Sequence, residues 1–274
     1  MRRAEKMQVI GLCRFSYPAI GGFQTTHESI EERRQFLYQH DRLEERFRLF
    51  ETVALPGFKK QSDEDFQLVI VVGDCLPKPA FDRLNDLTGG LKQVRIVAKP
   101  PGRHRKVMQD VLNSARNDSD QPCLQFRHDD DDAVAVDFVE RFRGCVRECV
   151  GLFERHAMVA VDFNCGYLAR ASSEGIRATR VHRPLITAGL GMYVQGGQQK
   201  SIMNFAHNRI NRAMPVVTRP DSPMWVRGLN RFNDSPRTRN TDVALNPLTR
   251  QQELEFQTRF AIDPDMVRRS HAKP

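Results

Sequence analysis

The sequence predicts an α/β protein: a mostly parallel sheet flanked by helices, continued by an irregular, loop-rich C-terminal half. Three observations carry this. Short apolar, β-branched runs alternate with amphipathic helical patterns over residues 1–150, the rhythm of a parallel sheet covered on both faces. The 274 residues are 40% hydrophobic, enough for one large core and too apolar for a disordered chain. From Ala188 onward Gly, Asn, Arg and Pro replace the periodic pattern.

Met7 to Phe15 reads as a first buried strand, and Ser16 to Thr26, with Pro18, Gly21 and Gly22, as a loop. Thr25 and Glu28 have capping-box spacing for a helix reaching about Gln39. A second helix carries Leu43, Phe47 and Phe50 on one face, and Pro56-Gly57 is expected to close it. Phe66 to Val72 is the clearest strand, a continuous β-branched run ending at Gly73-Asp74. Pro77 can open the next helix, with Ala80, Phe81, Leu84 and Leu87 inward and Gly89-Gly90 as its stop. Val94 to Ala98 is a strand, Pro100-Pro101-Gly102 a loop, and Val107, Met108, Val111, Leu112 and Ala115 form a helical stripe.

A short strand, Cys123 to Phe126, then runs into Arg127-His128-Asp129-Asp130-Asp131-Asp132. A helical face follows, with Ala135, Phe138, Val139, Phe142, Cys145, Val146 and Cys149. The acids are therefore expected at a strand-to-helix junction on the carboxyl edge, where α/β sheets bind ligands. Four adjacent carboxylates repel one another and need a reason. One is helix capping and dipole compensation, which explains one or two aspartates. Another is a hard-cation site, since Mg²⁺ or Mn²⁺ takes oxygen ligands and is held by one or two carboxylates together with substrate phosphates.

Further along, Met158 to Phe163 and Gly166 to Arg170 read as strands, and a helix over 249–260 is weakly patterned. Between Asn208 and Arg250 stand eight arginines (209, 212, 219, 227, 231, 237, 239 and 250) against Asp221, Asp234 and Asp242, which marks a basic, loop-rich region. The net charge of +8 suits anionic partners such as nucleotide phosphates, nucleic acid or an acidic membrane face. The longest purely apolar runs, such as Leu68 to Val72, are far below the roughly 20 residues that cross a bilayer, and Ala4-Glu5-Lys6 interrupts any signal-like start. A cytoplasmic location, with the inner membrane face as a variant, is the expectation. The six cysteines (13, 75, 123, 145, 149 and 165) show no zinc spacing and are expected as buried free thiols.

An α/β half with aspartates at a strand end, followed by an irregular half, resembles a GT-A-fold glycosyltransferase. The resemblance narrows to the putative rhamnosyltransferase family through Arg14-Phe15-Ser16, Arg48-Leu49-Phe50-Glu51 to Leu55-Pro56, Gln61-Ser62-Asp63-Glu64-Asp65-Phe66, and Gly73-Asp74 to Leu76-Pro77. The family's Arg-x-Asp-x-Asp-Asp-Ala element is similar to Arg127 to Ala133, and its later Asn-His and Trp elements to His207-Asn208 and Trp225. The resemblance implies a single GT-A-like domain over 1–274, with a nucleotide-sugar-binding half over 1–150 and an acceptor-side half with a basic C-terminal segment over 151–274. It implies a metal-dependent transferase, using Mn²⁺ or Mg²⁺, that moves a sugar such as rhamnose from a nucleotide diphosphate donor to a glycan or lipid-linked hydroxyl, as in polysaccharide biosynthesis.

On this resemblance Asp129 and Asp131 form the DxD pair, the first toward the ribose or metal shell and the second on the cation. Asp132 is then the helix cap and Asp130 faces solvent or a basic neighbour. His207 is the candidate third metal ligand. Arg14 and Phe15 would lie beside the nucleotide, Asp74 would reach the base, and Arg103, His104 and Arg105 phosphate. Asp162, Glu174 and Asp221 are available as general base without ranking, and Trp225 is either a sugar platform or core. Two other classes compete. A nucleotidyltransferase would carry a Gly-rich phosphate loop, for which Gly21-Gly22 is a faint match. A nucleic-acid-binding protein would interleave aromatics with the arginines, which this chain does not do, so no nucleic acid partner is expected.

Overall fold

Val, Ile and Leu crowd the segments that the chain buries most completely, and these become the central strands. The computed structural model describes residues 7–21, 28–232 and 243–272. Thr25, Gly22, Asp234, Arg237, Arg239 and Asp242 lie outside the described residues. In chain order the first half gives β1 (Gln8–Arg14), α1 (Ile30–Leu37), α2 (His40–Leu49), α3 (Leu55–Lys59), β2 (Gln67–Gly73), α4 (Lys78–Thr88), β3 (Val94–Lys99), α5 (His104–Ser114), β4 (Cys123–Asp129), β5 (Ala133–Val134), α6 (Phe138–Glu148) and α7 (Val150–Arg155). The second half gives β6 (Met158–Phe163), β7 (Cys165–Ser172), β8 (Gly175–His182), β9 (Leu190–Val194), β10 (Val216–Arg219), β11 (Trp225–Gly228), β12 (Asn246–Pro247), α8 (Arg250–Phe260) and α9 (Pro264–His271).

The main sheet has the order β10-β6-β9-β4-β1-β2-β3. Six strands run parallel and β9 alone is antiparallel, pairing with both β4 and β6. The chain moves outward from β1 through β2 to β3, then returns to lay β4 on the other side of β1. That reversal is the switch point at which open α/β sheets bind ligands. The fold is α/β, a mostly parallel central sheet flanked by helices, as the sequence predicts. A second sheet, β12-β8-β7-β11-β5, grows from the two-residue strand that follows the aspartates.

Both faces of the main sheet are covered. One buries Phe15, Phe47, Phe50, Phe58, Leu84, Phe126, Phe138 and Phe142 under α2, α3, α4 and α6. The other buries Ile10, Leu12, Val69, Val71, Met108, Val111, Leu112, Leu190, Met192, Ile202 and Ile210 under α5 and the segment 201–214. At about 1.5–3 kcal/mol for each fully buried large apolar side chain, these two layers dominate the stability.

Several sequence expectations are corrected. The first helix is capped by Ser29, whose Oγ accepts from Glu32 N–H at 3.1 Å; Thr25, the expected cap, lies outside the described residues. Pro56-Gly57 does not close the second helix: a π-helical turn over Phe50–Ala54 carries the chain directly into α3. Proline is tolerated there because it falls in the first turn of α3, where its missing N–H is no loss. Gly57 is required by contact, since a Cβ would press into the carbonyl oxygen of Val134. The helix after the aspartates begins only at Phe138, with β5 between, so none of the four acids caps it. The C-terminal half is also more regular than its composition suggests. β9 was hidden because Gly191 interrupts its apolar run, and that glycine makes room for the Phe142 ring. α8 has the capping box of Thr249 and Gln252, and α9 starts from Asp263-Pro264.

The six cysteines are free; Cys75 and Cys149 are half-buried and the others buried. Trp225 is core, 0% exposed, with its indole N–H donating to Phe163 O at 2.7 Å. Among the described residues no helix is long and apolar enough to cross a membrane.

Candidate functional site

The site follows from strand alternation. Successive side chains on a strand point to opposite faces, and register-paired residues of neighbouring strands share a face. In β1, Ile10 and Leu12 lie in the layer under α5, so Arg14 continues that row. Arg14 is paired in register with Asp129, and Leu12 with Arg127. Arg14, Arg127 and Asp129 therefore emerge together at the carboxyl edge of the β1–β4 switch point. In β6, Ala160 belongs to the same layer, which puts Asp162 on that face too.

Polar side chains of these strands hold the irregular segments 183–189 and 195–212, on either side of β9, over the face. Gln125 Oε1 accepts from Ile202 N–H at 3.1 Å, Arg127 donates to Thr187 Oγ1 at 3.1 Å, and Asp162 Oδ1 accepts from Leu185 N–H at 2.9 Å. His207 Nδ1 meets Leu185 O at 2.6 Å. What the sequence presents as a structureless stretch is the wall of the site.

The four aspartates meet different sets of partners, although Asp130 and Asp131 share Arg46. Burial alone would raise the Asp129 carboxyl, but Arg14, Arg227 and Arg127 outweigh it and hold it below the usual carboxylate range. Asp130 accepts from Arg46 Nη1 at 2.8 Å; burial nevertheless pushes it up to about 6. Asp131 faces the same Arg46 nitrogen at 3.2 Å and accepts from Asn230 Nδ2 at 2.6 Å. Asp132 accepts from Gly228 N–H at 3.0 Å, with Arg227 at 3.7 Å, and burial drives its carboxyl well above the usual range. Its expected role as a cap is thus replaced by a tie between β5 and β11. Asp130 faces a basic neighbour, as one of its two expected environments required.

The remaining candidates separate clearly. Phe15 is 0% exposed and packs on Phe47 and Phe50 at centroid distances of 4.9 and 5.5 Å. It is core beneath α2, which corrects its placement beside the nucleotide: alternation turns it to the face opposite Arg14. Asp74 is exposed just past β2, its N–H donating to Lys99 O at 3.0 Å. Arg103 and Arg105 are exposed at the start of α5. His104 between them is half-buried; burial, with Arg14 and Arg127 nearby, lowers it to about 3. His207 is lowered from the ordinary histidine value by burial and by Arg127.

Of the three acids offered as general base, Asp162 is on the ligand face. Glu174 is exposed in the β7–β8 turn. Asp221 is paired with Arg141; slight burial works against it, but that pairing holds it below the usual range. Residues missed from the sequence are Arg46, Arg127, Thr187, Leu185, Arg227 and Asn230. Arg127 carried a usable signal, two positions before Asp129 on the same strand; the others reach the site only through tertiary folding.

Among the described residues no three His, Cys, Asp or Glu side chains gather into a ready-made metal cage. A Mg²⁺-type ion does not need one, because one or two carboxylates plus substrate phosphates suffice. Asp129, whose buried carboxyl its arginine neighbours hold below the usual range, is one such carboxylate at the edge, whereas Asp131 is engaged by Arg46 and Asn230.

The family described as "Putative rhamnosyl transferase" matches the chain over residues 8–242. No curated protein matches it. Among solved structures, S. aureus TarS 1–349 is 9% identical, covering 81% of this chain and 60% of that one, with a TM-score of 0.42. S. aureus TarS 1–349 in complex with UDP is 11% identical, covering 82% and 60%, at 0.43. S. aureus TarS is 11% identical, covering 82% and 37%, at 0.41. The chain therefore spans about 60% of the length of TarS 1–349.

Proposed function

We propose, from the premise that this chain belongs to the putative rhamnosyl transferase family, that it is a metal-dependent glycosyltransferase. It takes a sugar from a nucleoside diphosphate donor and joins it to a hydroxyl of a glycan or lipid-linked acceptor. The single observation that carries the reading is the register pairing of Arg14 with Asp129 at the β1–β4 switch point, in reach of the charges of Arg127 and Arg227. A carboxylate ringed by guanidinium groups at a sheet's carboxyl edge suits a diphosphate, whose charge grows as the glycosidic bond breaks.

In this reading Arg14, Arg127 and Arg227 receive the leaving diphosphate, and Asp74, exposed at the same edge, contacts the base. Asp129, Asp131 and His207 would hold a divalent cation. When bound, that ion supplies Lewis-acid stabilisation of the departing phosphate oxygens. The segments 183–189 and 195–212, pinned by Gln125, Arg127 and Asp162, shield the reacting centre from water on the acceptor side. The basic surface of the chain suits contact with an anionic membrane face that presents a lipid-linked acceptor.

The test is a thermal-shift panel with UDP, dTDP, GDP and CDP, each with and without Mn²⁺, on the wild type and Asp129→Ala. Ligand at 100 times its dissociation constant stabilises by about 2.7 kcal/mol, so even modest binding registers. One diphosphate is expected to stabilise the wild type with metal and to lose that effect in the variant. No shift with any nucleotide would refute the reading.

A further inference from the structure

Leu185 has φ 57°, the left-handed region that a side chain with a Cβ disfavours. Such a conformation persists only where its surroundings impose it, and it clusters at functional sites. Here the imposing groups are identifiable. The Leu185 N–H donates to Asp162 Oδ1 at 2.9 Å, and the Leu185 carbonyl meets His207 Nδ1 at 2.6 Å. One strained residue, through its own N–H and its own carbonyl, thus joins two side chains that lie 45 positions apart in the sequence (162 and 207) and come from different elements.

The chemistry of the Leu185 carbonyl dictates the state of the imidazole. A carbonyl oxygen can only accept, so Nδ1 must carry the hydrogen, and the neutral ring keeps its lone pair on Nε2. Histidines that ligate a metal or accept a proton are commonly oriented by a bond from the other ring nitrogen. Asp162 itself is 1% exposed and already engaged, so no acceptor hydroxyl reaches it. A buried carboxyl is also a costly way merely to support a loop, since burial pushes its pKa up and the Leu185 N–H offsets that in part.

We infer that Asp162 is a positioning residue: through the strained backbone of Leu185 it fixes the His207 ring in the Nδ1–H form, with Nε2 left as the working atom. The use made of Nε2 rests on the glycosyl-transfer reading; the relay itself does not.

The test uses the full chain labelled with ¹⁵N. NMR of the imidazole nitrogens reports the His207 tautomer, and Mn²⁺ titration followed by water-proton relaxation reports metal affinity. The wild type should show Nδ1 protonated. Asp162→Asn should keep that state and bind Mn²⁺ within about threefold of wild type, because its amide oxygen accepts the same N–H. Leu185→Gly should keep it too, since glycine adopts the left-handed backbone freely. Asp162→Ala should release the ring and weaken Mn²⁺ binding by about 10- to 100-fold, the usual cost of losing an outer-shell partner. Should the alanine variant not fold, Asp162→Thr replaces it, being suited to a strand but too short to keep the contact.

An unchanged tautomer and unchanged Mn²⁺ affinity in the alanine or threonine variant would overturn the inference. So would a folded Asp162→Asn that behaves like Asp162→Ala. If the wild type binds neither Mn²⁺ nor any nucleotide while the tautomer still follows Asp162, the relay stands and the glycosyl-transfer reading falls.

Discussion

Asp162→Asn is expected to stabilise the protein at neutral pH and to leave it unchanged in acid. Burial pushes the Asp162 carboxyl up from 3.8 to about 6, with the Leu185 N–H pulling it back in part. The difference is about two pH units, and each unit is worth about 1.4 kcal/mol. Below about pH 4 the carboxyl is protonated in both the folded and unfolded chain, so wild type and variant are equally stable. As pH rises from about 4 to about 6, the unfolded chain ionises while the folded one holds its proton, and the wild type loses stability steadily. Above about pH 6 the loss is complete, at about 3 kcal/mol. The asparagine oxygen still accepts from Leu185, while its NH₂ has to find an acceptor in a buried site, which reduces the expected gain to about 1–3 kcal/mol. Urea unfolding of both proteins between pH 4 and 8 measures the gap directly. Parallel stability curves across that range, or a gap that widens toward acid, would refute the reasoning.

Two further outcomes test how the site is held. Arg46→Ala removes the guanidinium that serves both Asp130 and Asp131, whose side chains are 8% exposed, and leaves two buried acids without it. Breaking a buried pair from one side costs about 3–5 kcal/mol, so the melting temperature should fall by roughly 5–20 °C; a loss under 3 °C would show that the pair is solvated. Gly57→Ala should destabilise by about 1–3 kcal/mol through contact with Val134 O, although alanine is the better helix former by about 1 kcal/mol. A stabilised variant by calorimetry would mean that α3 shifts freely from β5.

Much of the first half was legible because a strand buried on both faces must be apolar along its whole length. Leu68 to Val72 has no other home than the middle of a sheet, and its neighbours follow the same rule. The helix stops at Pro56-Gly57 misled because they obey local propensity, while here a π turn and a backbone contact with Val134 override it. β9 was illegible since its glycine answers to Phe142, 49 positions away in the sequence (142 and 191).

The acidic run shows the same division. Four adjacent carboxylates announce a site from repulsion alone, and strand spacing already sets Arg127 and Asp129 on one face. Which acid is paired, and with what, depends on groups that are remote in sequence: Arg46 is 84 positions from Asp130, and Asn230 is 99 from Asp131. Local sequence thus determined where charge accumulates, because side-chain periodicity and like-charge repulsion act between near neighbours. Only the tertiary structure decided the partners, since ion pairs and hydrogen bonds depend on distances that the fold alone creates.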